Sequence, residues 1–375
     1  MKPGALIALS LIAGSVLAAG VLHIRVTDAR HESEYPSLAW TGKALGICWM
    51  DGRDGNQELY FRVADIEKKR LGPEKRLTNS NNWDYRPSLV WNGSGFGLLW
   101  VHERRVKRDL YFALLDSNGA FNLGPVRIIN QQMIEKHTRL AWTGSGYGLV
   151  FGDYKTGNLE IFYQALNEQG QKTGPETQLT RSPGKSELAD LVFQNQEFAL
   201  TFLDAREGTR QVYFMIFDVN GRVKVQTRIS TLDTDCSPPS LASGPGGFGL
   251  AWCQQAGSSA QVFFAHMDAN GQPLIKARAL TGDDSQKTWA EIQAFDQAYG
   301  IAYYAGDRFY RTLYFCSVDQ DANLRQSSNA LTDPRKAEAA CPLIRMVPDS
   351  TGMTIVWVDL GKNLNSEIYL TRLEF

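Results

Sequence analysis

Aspartate recurs in this sequence at one fixed place: Asp51, Asp153, Asp204 and Asp359 each lie two residues beyond an aromatic, namely Trp49, Phe151, Phe202 and Trp357. Carboxylates converging on one cleft can act as acid, base or nucleophile, as in glycoside hydrolysis. Repetition favours a plainer role, capping the turn that follows, because a unique active site needs unique residues. His102, Gln254 and Ala305 occupy the equivalent place elsewhere. A second set is singular: Arg53, Trp83, Tyr85, Arg86, His102, Arg104, Arg105, His137 and Tyr154 are confined to the first half of the chain. Arginine grips carboxylates and phosphates through paired hydrogen bonds, while Trp and Tyr stack on sugars or anchor protein partners. These residues form the candidate binding set. No catalytic residue, metal ligand or cofactor is expected. The five histidines carry no HExxH spacing, and the Gly-Ser-Gly segments are not nucleophile elbows. Cys236 and Cys253 are the candidate pair for a disulfide; no two of the five cysteines make a CxxC motif.

The elements that would position these side chains come from a repeat. Leu38, Leu89, Leu140, Leu191, Leu241, Ile292 and Leu343 follow one another at 51, 51, 51, 50, 51 and 51 residues. The aromatics Trp49, Trp100, Phe151, Phe202, Trp252, Tyr303 and Trp357 keep the same step to within a few residues, as do the pairs from Tyr60-Phe61 to Tyr314-Phe315. Each marks a short run of β-branched and aromatic residues bounded by turn chemistry. Glycine-rich turns such as NGSGFG (92–97) separate the first run from the second. Asp-x-x-Gly turns such as DSNG (116–119) separate the third from the fourth. Four strands per repeat of about 51 residues predicts an all-β, seven-bladed propeller, strands a to d in each blade. The fourth-strand series Leu77, Ile128, Leu179, Ile229, Leu280 and Leu331 has no seventh member, since the chain ends at Phe375 after strand c. HIRVTD (23–28) resembles KRLTN (75–79), so the N-terminal strand is expected to complete the last blade and close the ring. In repeats 5 to 7, Ser243, Ala294 and Arg345 stand in for the Trp that ends strand a, which would either reshape one side of the channel or mark looser packing.

The d–a and b–c loops share one face of such a ring, and the candidate binding residues fall in them. The first residues give the layout of a secretory signal: Lys2, an apolar stretch from Ala5 to Val16, then Ala18, Ala19 and Gly20. The expected organisation is a signal peptide over 1–20 and one propeller domain over 21–375, periplasmic or secreted, with an uncleaved anchor as the alternative. Charge is balanced, 39 basic against 40 acidic residues, which argues against a nucleic-acid partner.

DGRDGNQELYF (51–61) followed by EKRLTN (74–79) resembles the TolB-type, WD40-like repeat of periplasmic propellers, with its R-D-G-N-x-E-I-Y segment and L-T strand. DAREGTRQVYF (204–214) and NSEIYL (365–370) are weaker copies, and the repeat here is longer than that family's. The resemblance implies an envelope-located binding propeller. The expected function is therefore binding or scaffolding, by a monomer whose loop-rich face takes an envelope or extracellular protein or a glycan. The alternative is a carbohydrate-active enzyme, a glycoside hydrolase or lyase using a carboxylate of that face.

Overall fold

The computed structural model describes residues 23–105, 107–131, 134–307, 310–333, 343–361 and 365–375. The segment read as a signal peptide and Cys341 lie outside the described residues. Every regular element among the described residues is a β-strand, and these strands form seven antiparallel sheets. Blade 3 shows the pattern: a is Ile134–Trp142, b Gly146–Asp153, c Glu160–Asn167 and d Thr177–Gln178, hydrogen-bonded in that order. The a strands of consecutive blades lie side by side around a central channel, and those of blades 7 and 1 also meet. The seven-bladed propeller read from the repeat is thus the observed architecture.

The core is divided among the blade interfaces. Blades 1 and 2 share a cluster including Cys48, Phe61, Leu89, Phe96 and Trp100, and blades 7 and 1 another that includes Val26, Trp49, Val356 and Ile368. A lone four-stranded sheet leaves both faces wet, so each blade gains stability mainly from its neighbours. Close stacking requires glycine at one point of strand b. A Cβ on Gly97 would lie 2.5 Å from the Tyr147 ring of the next blade.

Closure occurs as the sequence implied. Strand d of the last blade is His23–Arg25, with His23 opposite Thr371 and Arg25 opposite Tyr369 of strand c, Ser366–Glu374. Just beyond the strand, the Val26 amide donates to Ile368 O at 2.7 Å. The same bond recurs as Leu77 to Leu59, Leu179 to Ile161 and Ile229 to Val212, each at 2.8 Å. The residue after each of these explains the L-T motif. The Thr78, Thr180 and Thr27 hydroxyls accept the amides of Leu59, Ile161 and Ile368 at 2.8, 2.8 and 3.0 Å. Thr180 and Thr27 donate in turn to the buried carboxylates of Glu160 and Glu367, and Ser230 and Thr281 donate to Gln211 and Gln261. In blades 3 and 7 the Glu of the N-x-E-I-Y position and the Thr of the L-T position are two halves of one buried hydrogen-bond unit; in blade 1 Glu58 instead accepts the Ser80 amide at 2.8 Å.

One register assignment is corrected. Ile292 pairs with Ile301, and the residue with the equivalent partner in blade 7 is Met346, which pairs with Ile355. Leu343 lies three residues before Met346, where Tyr35, Arg86, His137 and Trp289 stand in other blades. The last repeat is therefore 54 residues long at this point, from Ile292 to Met346. Arg345 accordingly does not replace the strand-end Trp. Pro348 does, and Arg345 belongs one residue before the repeated aliphatic.

Candidate functional site

Asp51, Asp153 and Asp204 are internal fasteners. Asp51 is fully buried, and its carboxylate accepts Trp49 Nε1 and Ser33 Oγ at 2.9 Å, the Arg53 amide at 3.0 Å and Arg53 Nε at 2.8 Å. Burial alone would raise this carboxyl, but these donors more than offset it and hold it below its ordinary value. Asp204 repeats the arrangement with Arg206, Ser182 and Ser186 and is likewise lowered. Asp153 takes the Lys155 amide at 2.9 Å but no Arg, and burial leaves it raised. Each ties the b–c turn of its blade, as a cap does.

Several of the candidate binding residues belong to the same internal chemistry. Arg53 bonds Asp51 and Glu74 and stacks on Tyr60, 4.5 Å from the ring centre. In blade 2 the carboxylate moves from strand b to strand a. Asp84 accepts Trp100 Nε1 at 2.7 Å, and His102 Nδ1 lies 2.8 Å from the same oxygen. His102 is thus the blade 2 version of the aspartate fastener. Tyr85 is buried, bonded to Glu103 and to Arg108, whose Nε lies 3.1 Å from its hydroxyl. Arg104 pairs with the buried Asp109 at 2.6 Å.

Arg86 and His137 do meet, at the channel mouth. Arg86 lies over the Tyr35 ring at 4.3 Å, donates to the Tyr35 hydroxyl at 3.1 Å and reaches His137 Nε2 with its other terminal nitrogen. His137 Nδ1 lies 3.0 Å from Glu135 Oε2. Burial lowers the His137 imidazole; Glu135 opposes this and the Arg86 charge adds to it. Accepting from Arg86 requires a neutral ring with its proton on Nδ1, directed at Glu135. Tyr35, Arg86 and Trp289 take φ of 53°, 52° and 53° at strand bulges, a conformation that costs bulky residues about 1–3 kcal/mol.

Trp83 and Arg105 remain exposed on the loop face. Trp83 is 51% exposed and pairs across the sheet with Glu103, beside the Arg104-Arg105 turn. Tyr154 is half-buried in the b–c loop of blade 3, away from that pair in the fold.

The disulfide is not formed: Cys236 and Cys253 are free, buried thiols. Cys236 stands opposite Gln254, not Cys253, and neighbouring strand residues point to opposite faces. The two sulfurs consequently lie in different interface clusters, between blades 4 and 5 and between blades 5 and 6.

The candidate binding set omits a ring of side chains in the channel. The residue before each repeated aliphatic is Ser37, Ser88, Arg139, Asp190, Ser240, Glu291 and Arg345, in blade order. Ser37, Ser88 and Ser240 accept the amides of Leu89, Leu140 and Ile292 in the following blade at 2.9, 3.0 and 3.2 Å. Asp190 does the same for Leu241 at 3.1 Å. The charged members pair as neighbours, Arg139 with Asp190 at 3.2 Å and Glu291 with Arg345 at 3.1 Å. Glu291 is 7% exposed and Arg345 22%, so the carboxylate is deep while the guanidinium is partly open to the channel. Burial raises Glu291 above its ordinary value, assisted by Asp190 and opposed by Arg345 and Arg139. All members of the ring but Ser240 line a space of about 210 Å³ to which every blade contributes, blade 5 through Leu241. The sequence signal for this ring is a single column that reads Ser, Ser, Arg, Asp, Ser, Glu, Arg once Met346 is placed correctly.

No family model matches this chain, and neither does any curated protein. Among solved structures it is similar to the β-propeller domain of the Trilobed protease from Pyrococcus furiosus, at 10% identity and a TM-score of 0.53, over 93% of this chain and 96% of that one. It is also similar to prolyl endopeptidases (10%, TM-score 0.52, 88% of this chain and 46% of that one). A third likeness is to Trypanosoma rangeli sialidase (7%, TM-score 0.51, 96% of this chain and 59% of that one). The chain spans about half the length of the endopeptidases and somewhat more of the sialidase. Identities this low establish the propeller fold alone. The Pyrococcus domain is described as having an open velcro topology, whereas here the terminal strands pair.

Proposed function

We propose that this chain is an exported binding propeller of TolB-like type, engaging a protein or glycan through the loop face at blades 1 to 2. The observation that carries the reading is the pairing of Trp83, half exposed, with the turn bearing Arg104 and Arg105. Trp and Arg supply most of the energy at binding hot spots. The TolB-type motifs support the family reading, since Asp51, Arg53, Asn56 and Tyr60 of the first-blade motif each make internal hydrogen bonds. Lys2 and the apolar stretch after it support export, with cleavage ahead of His23 freeing the strand that closes the ring. Hydrolysis by the repeated aspartates is disfavoured, because Asp51 and Asp204 already hold Arg53 and Arg206.

The test places a photo-cross-linking side chain at position 83, and separately at Asn118, an exposed residue on the opposite face. A stoichiometric adduct from envelope extracts at position 83 but not 118, weakened about tenfold or more by Arg105→Glu, supports the reading. Equal capture from both positions, or none from either with no binding on a glycan array, overturns it. Arg105 is the residue to reverse, because a carboxylate at Arg104 would face buried Asp109 and cost stability.

A further inference from the structure

The channel ring departs from its own repeat. Serine is its commonest member, and each serine accepts the next blade's amide. Among the described residues, Arg139, Glu291 and Arg345 make no such bond to the next blade. They place charge in a confined space, where charge is costly unless something compensates it. Their order around the ring is also uneven. Arg345, Ser37, Ser88 and Arg139 occupy four consecutive positions and present donors. Ser37 and Ser88 use their oxygens as acceptors, and no acceptor for their hydroxyl protons occurs among the described residues. Arg139 bonds through Nε and Nη1 and Arg345 through Nη1, leaving Nη2 of each without a protein partner among the described residues. Asp190 and Glu291 form the acceptor arc, and Ser240 between them donates its hydroxyl to Asp190 Oδ2 at 3.4 Å.

Above about pH 7, where Glu291 has lost its proton, two guanidiniums and two carboxylates leave the ring with no net charge. An anion alone would unbalance it, and so would a cation alone. We propose that the channel ring binds a small zwitterion of the amino-acid kind, its carboxylate on the arc from Arg345 through Ser37 and Ser88 to Arg139 and its ammonium on the arc of Asp190 and Glu291. Guanidiniums and hydroxyls are the donors that suit a carboxylate, while carboxylates accept from an ammonium. The space of about 210 Å³ suits a molecule of few non-hydrogen atoms, below the roughly 300 Å³ at which larger ligand pockets begin. Burial, and after it repulsion from Arg345, disfavours the charged form of Arg139, and a carboxylate between the two guanidiniums would relieve the repulsion. This site is separate from the loop-face patch and does not depend on it.

Isothermal titration of the chain from His23 to Phe375, at a pH above about 7 so that Glu291 is ionised, with L-alanine, propionate and ethylamine tests the proposal, because the last two are alanine without its ammonium and without its carboxylate. L-alanine should bind at least about tenfold more tightly than either. Glu291→Gln gives the ring one net positive charge and should invert the order, so that propionate exceeds alanine, whereas Arg345→Gln should abolish both. Propionate binding the unaltered protein as tightly as alanine would make this a simple anion site and overturn the proposal. Failure of all three ligands to bind at millimolar concentration would show the ring to be structural. The panel on the unaltered protein decides the matter even where a variant does not fold.

Discussion

Replacing Thr27 with Val tests the closing unit at one hydroxyl. Valine keeps the shape, so packing in this fully buried site changes little. The loss is in hydrogen bonds: the Ile368 amide, 3.0 Å from Thr27 Oγ1, loses its side-chain acceptor, and Glu367 loses one donor. Glu367 keeps Arg25 Nη2 at 2.8 Å and the Ala29 amide at 3.1 Å, so its loss is partial. A weakened buried amide and a weakened carboxylate together cost about 3 kcal/mol. Thr180→Val removes the same pair of bonds inside blade 3, where neighbouring strands confine any opening. The two variants should therefore differ in where the loss appears. Strand d of the last blade is three residues long and joins the ring from the far end of the chain, so it can detach alone. Hydrogen exchange read by mass spectrometry should show protection of residues 23–28 falling about 100-fold in Thr27→Val, at about 1.4 kcal/mol per decade, with blades 2 to 5 unchanged. Thr180→Val should spread its loss over several blades. Unchanged protection of 23–28, or an even loss across the ring, would refute the view that this hydroxyl holds the ring shut.

Glu291 predicts a pH dependence of stability. Its carboxyl rises from 4.5 to about 7 on folding, so in that interval the folded chain keeps a proton that the unfolded chain has lost. Its contribution is fully present below pH 4.5 and is lost as the pH climbs to about 7, and Glu291→Gln should remove this part of the melting-temperature profile. Gly119→Ala should destabilise by about 3 kcal/mol in denaturant titration, because φ is +82° and the new Cβ would lie 2.3 Å from Phe61 Cδ1. Peptide mapping without reductant should recover Cys236 and Cys253 as free thiols. Both should react slowly with thiol reagents in the native state, since burial pushes them up to about 11 and about 12.

The architecture was legible because it is written seven times. A strand that is ambiguous once becomes plain when its aromatic returns about every 51 residues, and the missing fourth strand showed itself as a gap in a series. The functional positions lacked that redundancy. Arg53 and His102 looked singular because their partners, Asp51 and Asp84, lie on different strands of their blades, so one fastener wears two sequences. The channel ring hid for the opposite reason. Its column varies between Ser, Arg, Asp and Glu, which reads as surface noise until pairing registers align it. In the last blade Leu343 imitates the repeated aliphatic, which puts Arg345 at the strand-end position instead of in the ring. The bulges that turn Tyr35, Arg86 and Trp289 into the mouth have no glycine to announce them. Cys236 and Cys253 looked neighbourly because they share a face in the loop count, but strand alternation separates them.

The pairing of His23–Arg25 with Ser366–Glu374 also sets how the ring yields to force. The strands run antiparallel, and His23 faces Thr371, so the chain enters the first strand and leaves the last at the same edge of one blade. Tension applied between the two ends therefore peels this ladder one hydrogen bond at a time instead of shearing all its bonds together. The last blade becomes a mechanical fuse: it opens at low load and exposes the cluster it shares with blade 1, while the other interfaces feel little of the pull.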